Sequence, residues 1–103
     1  MQIVSWNVAG RVKRQAEQGQ RVLTLAADVV CLQEVTPRTL PAWREQLSAA
    51  GYASVHCGDL TPGPRPRPLG VLTACREAAE PLALRGMPWA ERVLAVRTSK
   101  VIQ

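Results

Sequence analysis

Two side chains have the types to do polar chemistry, and both lie at the ends of strongly apolar runs. Asn7 sits near the end of the run Ile3-Val4-Ser5-Trp6-Asn7-Val8, and Glu34 interrupts the run Asp28-Val29-Val30-Cys31-Leu32-Gln33-Glu34-Val35. A carboxylate within a strand-like run must find a partner or leave the core, because an unpaired buried charge is costly. If the two runs are adjacent parallel strands, both side chains emerge at the same C-terminal edge of the sheet, where open α/β sheets place ligands. One carboxylate and one amide converging there suit a hard cation such as magnesium, which takes oxygen ligands and keeps several waters. The amide can also donate an N–H to a phosphate oxygen. A plainer alternative stays open at this point: Glu34 favours the start of the helix that follows, and Asn7 simply ends a strand.

The elements that must position these residues are legible from pattern. Gln2 to Val8 is strand-like and Gly10 ends it. The polar, basic stretch Arg11 to Gln20 reads as a loop or frayed helix entry, and Arg21 to Ala27 as a short helix with Val22, Leu25 and Ala26 on one face. Asp28 to Val35 is the second strand. Thr36 as N-cap and Pro37 at the first helical position open the clearest helix, with Leu40, Trp43 and Leu47 on its core face and Gly51 just past its end. Strands are predicted at Tyr52–Cys57, Leu69–Cys75 and Arg92–Thr98, and a short one around Leu82-Ala83-Leu84. The segment from Gly58 to Pro68 alternates Pro62, Pro64, Pro66 and Pro68 with Gly63, Arg65 and Arg67, an extended composition without regular hydrogen bonding. The first three strands and two helices suggest β-α-β-α-β with parallel pairing, followed by antiparallel strands.

Composition bounds the function classes. A chain of 103 residues with 47% hydrophobic residues supports one domain with a modest core. A net charge of +5 favours anionic partners such as nucleic acid, phosphorylated small molecules or acidic membrane surfaces. Cys31, Cys57 and Cys75 form no C-x-x-C pair, and with His56 as the single histidine a zinc site is hard to assemble. They read as small core hydrophobes in a reducing compartment. No run reaches the about 20 apolar residues of a membrane helix, and no signal-peptide pattern opens the chain, so a cytoplasmic location is expected. Trp6 and Trp43 read as core, while His56 has no assigned role. Arg11, Lys13 and Arg14 follow Asn7 closely and read equally as candidates for attracting a phosphate-containing substrate or as a solvated charge cluster. Arg65 and Arg67 could reach a phosphate backbone, although a solvated Pro-rich loop is the favoured reading of that segment.

Ser5-Trp6-Asn7-Val8 followed by Ala27-Asp28-Val29-Val30-Cys31-Leu32-Gln33-Glu34-Val35 resembles the opening of the endonuclease/exonuclease/phosphatase family, the DNase I-like metal-dependent phosphoesterases. Leu69-Gly70-Val71-Leu72-Thr73 and Arg92-Val93-Leu94-Ala95-Val96 resemble later strands of the same half of that domain. The resemblance implies an α/β (α+β) fold, a partial DNase I-like sandwich with a mixed β-sheet and helices on one face. It implies that Asn7 and Glu34 are catalytic, with Glu34 and Asn7 at a magnesium ion (manganese as substitute), Asn7 at the substrate, and Gln33 positioning Glu34; Arg11 joins the substrate-binding set by its position just after Asn7. The implied reaction is hydrolysis of a phosphodiester or phosphomonoester, nucleic acid among the candidate substrates.

The family's later motifs, a Tyr- or His-bearing strand, an Asp-x-Asn and a Ser-Asp-His, do not occur in this sequence. His56 follows the second helix and does not match the catalytic histidine. The expectation is therefore a single domain over residues 1–103 that corresponds to the N-terminal half of the family's domain, truncated and weakly active or inactive alone. Its sheet would expose an apolar face for self-association or a complementing second half. The alternatives are a non-catalytic binding or interaction module derived from the same fold, and an unrelated small α/β domain in which Glu34 only supports the helix.

Overall fold

A computed structural model of the chain describes residues 1–58, 60, 68–82 and 95–98. In chain order its elements are β1 (Ile3–Asn7), α1 (Gln15–Thr24), β2 (Val29–Val35), α2 (Leu40–Ala49), β3 (Ser54–Cys57), β4 (Gly70–Cys75), β5 (Ala79–Leu82) and β6 (Ala95–Thr98). Four strands form one mixed sheet in the order β1-β2-β4-β3, and β5 and β6 form a second, antiparallel pair. Predicted residues 83–84 and 92–94, the Arg65/Arg67 segment and Trp89 lie outside the described residues.

The strands β1 and β2 are parallel, with Ile3 opposite Val29 and Asn7 opposite Gln33. The expected run of parallel neighbours stops there. β4 lies between β2 and β3 and is antiparallel to both, so β3 does not pair with β2. The reason is local: Val29, Val30, Cys31 and Leu32 find antiparallel partners in Cys75, Ala74, Thr73 and Leu72. Opposed residues share a face. Val4, Trp6, Val30, Leu32, Val55, Leu72 and Ala74 therefore point the same way, and onto them pack Val22 of α1 and Trp43 and Leu47 of α2. Both helices cover this one face, which makes an α+β layer. Trp43 and Leu47 are both buried, and α2 owes its place to that burial more than to intrinsic propensity. The opposite face carries Ser5, Asn7, Cys31, Gln33 and Thr73 together with Ile3, which is 62% exposed.

Helix α1 departs from the sequence expectation. It begins at Gln15, inside the stretch read as a loop or frayed helix entry, and ends at Thr24, with Leu25 56% exposed rather than on the core face. The buried residues of α1 are Gln15, Gly19 and Val22. Gln15 Nε2 donates to Oε1 of Gln46 on α2, and Gly19 has no side chain to hold α2 away, since a Cβ there would overlap the Gln46 amide. The α1–α2 contact is thus built from a glutamine pair and a glycine, which apolar periodicity cannot reveal. Helix α2 begins at Leu40 rather than at Pro37. Thr36 to Thr39 forms a turn ahead of it. In that turn the Thr36 N–H donates to Thr39 Oγ1 (3.1 Å), and the Thr39 N–H donates to Thr36 Oγ1 (3.3 Å). This reciprocal pair satisfies backbone donors as a capping box does. Gly51 follows the helix with φ +96°, the left-handed conformation expected of it.

One buried polar knot ties the layers together. Tyr52 donates its hydroxyl to the Ala27 carbonyl (2.7 Å), Arg76 Nε donates to the same oxygen (3.2 Å), and the Arg76 guanidinium lies 4.6 Å from the Tyr52 ring centre. Among the described residues no helix is long and apolar enough to cross a membrane.

Candidate functional site

Asn7 ends β1, and the chain then turns over Val8, Ala9 and Gly10. Asn7 Oδ1 accepts the Ala9 N–H at 2.9 Å, an Asx-type turn that leaves the amide NH2 to donate outward. Ala9 and Gly10 follow with φ +56° and +59°, two successive left-handed residues. Gly10 is needed here, because a Cβ would stand 2.8 Å from Thr36 Cγ2. The Val8 N–H donates to the Gln33 carbonyl (3.0 Å), which locks the loop after β1 onto the end of β2.

The end of β2 is irregular. Leu32 pairs with Leu72 and Val35 with Gly70, so β2 carries one residue more than β4 across this step. That is a β-bulge, and Glu34 within it adopts φ +59°. The bulge lets Leu32 and Val35, three residues apart, both lie in the core. It turns the half-buried Glu34 toward the sheet edge where Asn7 emerges. Asn7, Gln33, Glu34, Leu69, Gly70 and Val71 together line a cleft of about 290 Å³. The β4 entry Leu69-Gly70-Val71 forms its other wall. Glu34 is the one charged residue of that lining among the described residues.

Gln33 does not reach Glu34 through its side chain. Its Nε2 donates to Ser5 Oγ (3.0 Å) and to the Cys31 carbonyl (3.3 Å), so it braces β2 against β1. Arg11 does not line this cleft. With Trp6, Arg14, Glu17, Gln18 and Arg21 it forms a second groove of about 240 Å³ along α1. The structure thus brings Asn7 and Glu34 together and sets Arg11 apart. His56 is engaged elsewhere: its Nε2–H donates to the Ala79 carbonyl at 2.7 Å, while Ser54 Oγ accepts the Ala79 N–H. Burial raises the thiol of Cys57 despite the opposing pull of Arg44, and burial with the neighbouring Cys31 raises that of Cys75. Both thiols stay protonated near neutrality, which is the wrong state for a nucleophile.

Among the described residues no group of three or more His, Cys, Asp or Glu side chains could enclose an ion. The carboxylate of Glu34 is a hard donor, whereas the Asn7 amide oxygen already accepts the Ala9 N–H, and magnesium commonly binds through one or two carboxylates with water and substrate phosphate completing its shell.

Gly10 and the Leu69-Gly70-Val71 wall were absent from the site as read from sequence. The bulge had a trace there: apolar spacing goes from Val30 and Leu32 to Val35, a step of three where an unbroken strand steps by two.

No curated protein matches this chain. The model of the endonuclease/exonuclease/phosphatase family matches residues 4–98. That span starts in β1, runs through the bulge that carries Glu34 and ends with β6, so the Asn7–Glu34 cleft lies wholly within a phosphoesterase-type fold. The chain belongs to the endonuclease/exonuclease/phosphatase family.

Proposed function

We propose that the Asn7–Glu34 cleft is the metal- and phosphate-binding part of a magnesium-dependent phosphoesterase site. One observation carries the reading: parallel register and a bulge bring one carboxylate and one free amide donor to the same edge of the sheet, facing a common cleft. Glu34 would hold the cation, with manganese as a substitute. Asn7 keeps its Oδ1 on the Ala9 N–H and offers its NH2 to a phosphate oxygen. A bound divalent ion supplies neutralisation of phosphate charge and stabilisation of the leaving oxygen. The substrate class is a phosphodiester or phosphomonoester, and the net charge of +5 favours a polyanion.

Water activation in such hydrolysis calls for a general base. The sequence contains neither Asp-x-Asn nor Ser-Asp-His, and its single histidine is occupied by the Ala79 carbonyl. The reading is therefore cation and phosphate binding with little turnover by this chain alone. Isothermal titration with magnesium chloride and with manganese chloride tests the first part, where binding is expected in the wild type and lost in Glu34→Gln. A plasmid-nicking assay tests the second. Unchanged metal affinity in Glu34→Gln refutes the site, and robust Glu34-dependent nicking refutes the expected weakness.

A further inference from the structure

Asn7 and Trp6 are neighbours on β1, so their side chains leave opposite faces of the edge strand. Asn7 enters the Glu34 cleft. Trp6 enters the second groove, which it shares with Arg11, Arg14, Glu17, Gln18 and Arg21. This groove is electropositive by composition, with three arginines against one carboxylate. Glu17 holds Arg14 at 3.0 Å and Arg21 at 3.8 Å. Arg11 has no acidic partner among the described residues.

Trp6 is half-buried at the sheet margin, where β1 is the edge strand among the described residues. Gln18 donates its Nε2–H to the Val8 carbonyl (3.2 Å) and so fixes the groove wall against the turn after β1. An aromatic face beside guanidinium groups is complementary to an unpaired base and its flanking phosphates.

We infer that the Trp6–Arg11–Arg14–Arg21 groove binds single-stranded nucleic acid, one base against Trp6 and the flanking phosphates on the arginines. The short Val8-Ala9-Gly10 turn separates this groove from the Asn7–Glu34 cleft, so a strand seated in it continues toward the cleft. A small phosphoester would occupy one of the two; a polymer spans both. The inference deepens the proposed phosphoesterase reading by naming its substrate class. Binding in the groove needs no metal, so the two can fail separately.

The test is fluorescence anisotropy of a labelled 15-nucleotide oligo-dC in EDTA, across a salt series, with a duplex of the same length and phosphatidylserine vesicles as competitors. Oligo-dC is expected to bind, and the other two to compete poorly. For a single strand the slope of log K against log salt changes by about 0.7 for each phosphate contact removed, so Arg11→Ala/Arg14→Ala should flatten it by about 1.4. Arg97→Ala, an exposed cation on β6, should leave it unchanged. Trp6→Leu should weaken binding by about tenfold or more, in line with loss of one stacked base. The arginine double variant changes exposed side chains only, so the test stands even if Trp6→Leu fails to fold. No binding to oligo-dC, equal competition by duplex or vesicles, or an unchanged salt slope in the double variant overturns the inference. The magnesium titration remains independent of each of those results.

Discussion

Replacing Glu34 by alanine and, separately, by glycine divides its backbone role from its side-chain role. Both variants lack the carboxylate, and both should lose magnesium. They differ in stability. Glu34 holds φ +59° inside the β2 bulge, and an L-residue in the left-handed region costs roughly 1–2 kcal/mol. Alanine keeps that strain, whereas glycine removes it and returns about 0.5–1 kcal/mol of it as extra chain entropy in the unfolded state. The glycine variant should therefore exceed the alanine variant by about 0.5–1 kcal/mol. At about 4–8 °C per kcal/mol for a domain of this size, that is a rise in Tm of about 2–8 °C. Thermal melts followed by circular dichroism, with urea unfolding alongside, read the difference. Ala26, at φ +49° just past the end of α1, is the matched control. Ala26→Gly should gain a similar amount without touching metal affinity. A Glu34→Gly protein that melts at or below Glu34→Ala refutes the view that the bulge stores strain to present this carboxylate. Strain held at a ligand-binding position is a common compromise between stability and function.

Other perturbations probe the frame around the site. Gly10→Ala places a Cβ 2.8 Å from Thr36 Cγ2 at a positive φ, so it should cost more than about 1 kcal/mol in urea unfolding and weaken magnesium binding with it. Tyr52→Phe removes the donor to the Ala27 carbonyl, but Arg76 still serves that oxygen. A loss of about 1 kcal/mol is expected, and Tyr52→Phe/Arg76→Ala should cost more than the two single changes summed, because it leaves the carbonyl unsatisfied. Burial raises Cys57 above its ordinary value, so the folded state keeps a proton that the unfolded state releases above about pH 8.5. Its stability contribution is complete below that pH and falls as pH climbs toward the folded value. The urea midpoint should drop from pH 8 to 10, and drop less in Cys57→Ala.

The two polar residues that meet in the candidate cleft were legible from residue types, because strand ends announce themselves. Asn7 and Glu34 both interrupt valine- and leucine-rich runs, and the structure places them at one cleft. The resemblance carried by Ser5–Val8 and Ala27–Val35 agrees with the family match over residues 4–98. Arg11 follows Asn7 closely in sequence but does not share its cleft. The turn at Ala9 and Gly10 sends it to the Trp6 side of β1.

Local pattern alone located β1 to β4, the core face of α2 and the polar residues that end β1 and β2, since side-chain periodicity follows from backbone geometry within each element; β5 at Ala79–Leu82 begins before the strand expected around Leu82-Ala83-Leu84. Tertiary structure decided what depends on partners distant in sequence. Helix α1 is buried through Gln15 and Gly19 because Gln46 of α2 meets them. β3 is parted from β2 because β4 inserts between them. Glu34 has its unusual backbone because Val35 must reach back to pair with Gly70 while Leu32 pairs with Leu72. Each of these is a contact between residues that the sequence does not place together, and its free energy exists only once the chain has closed.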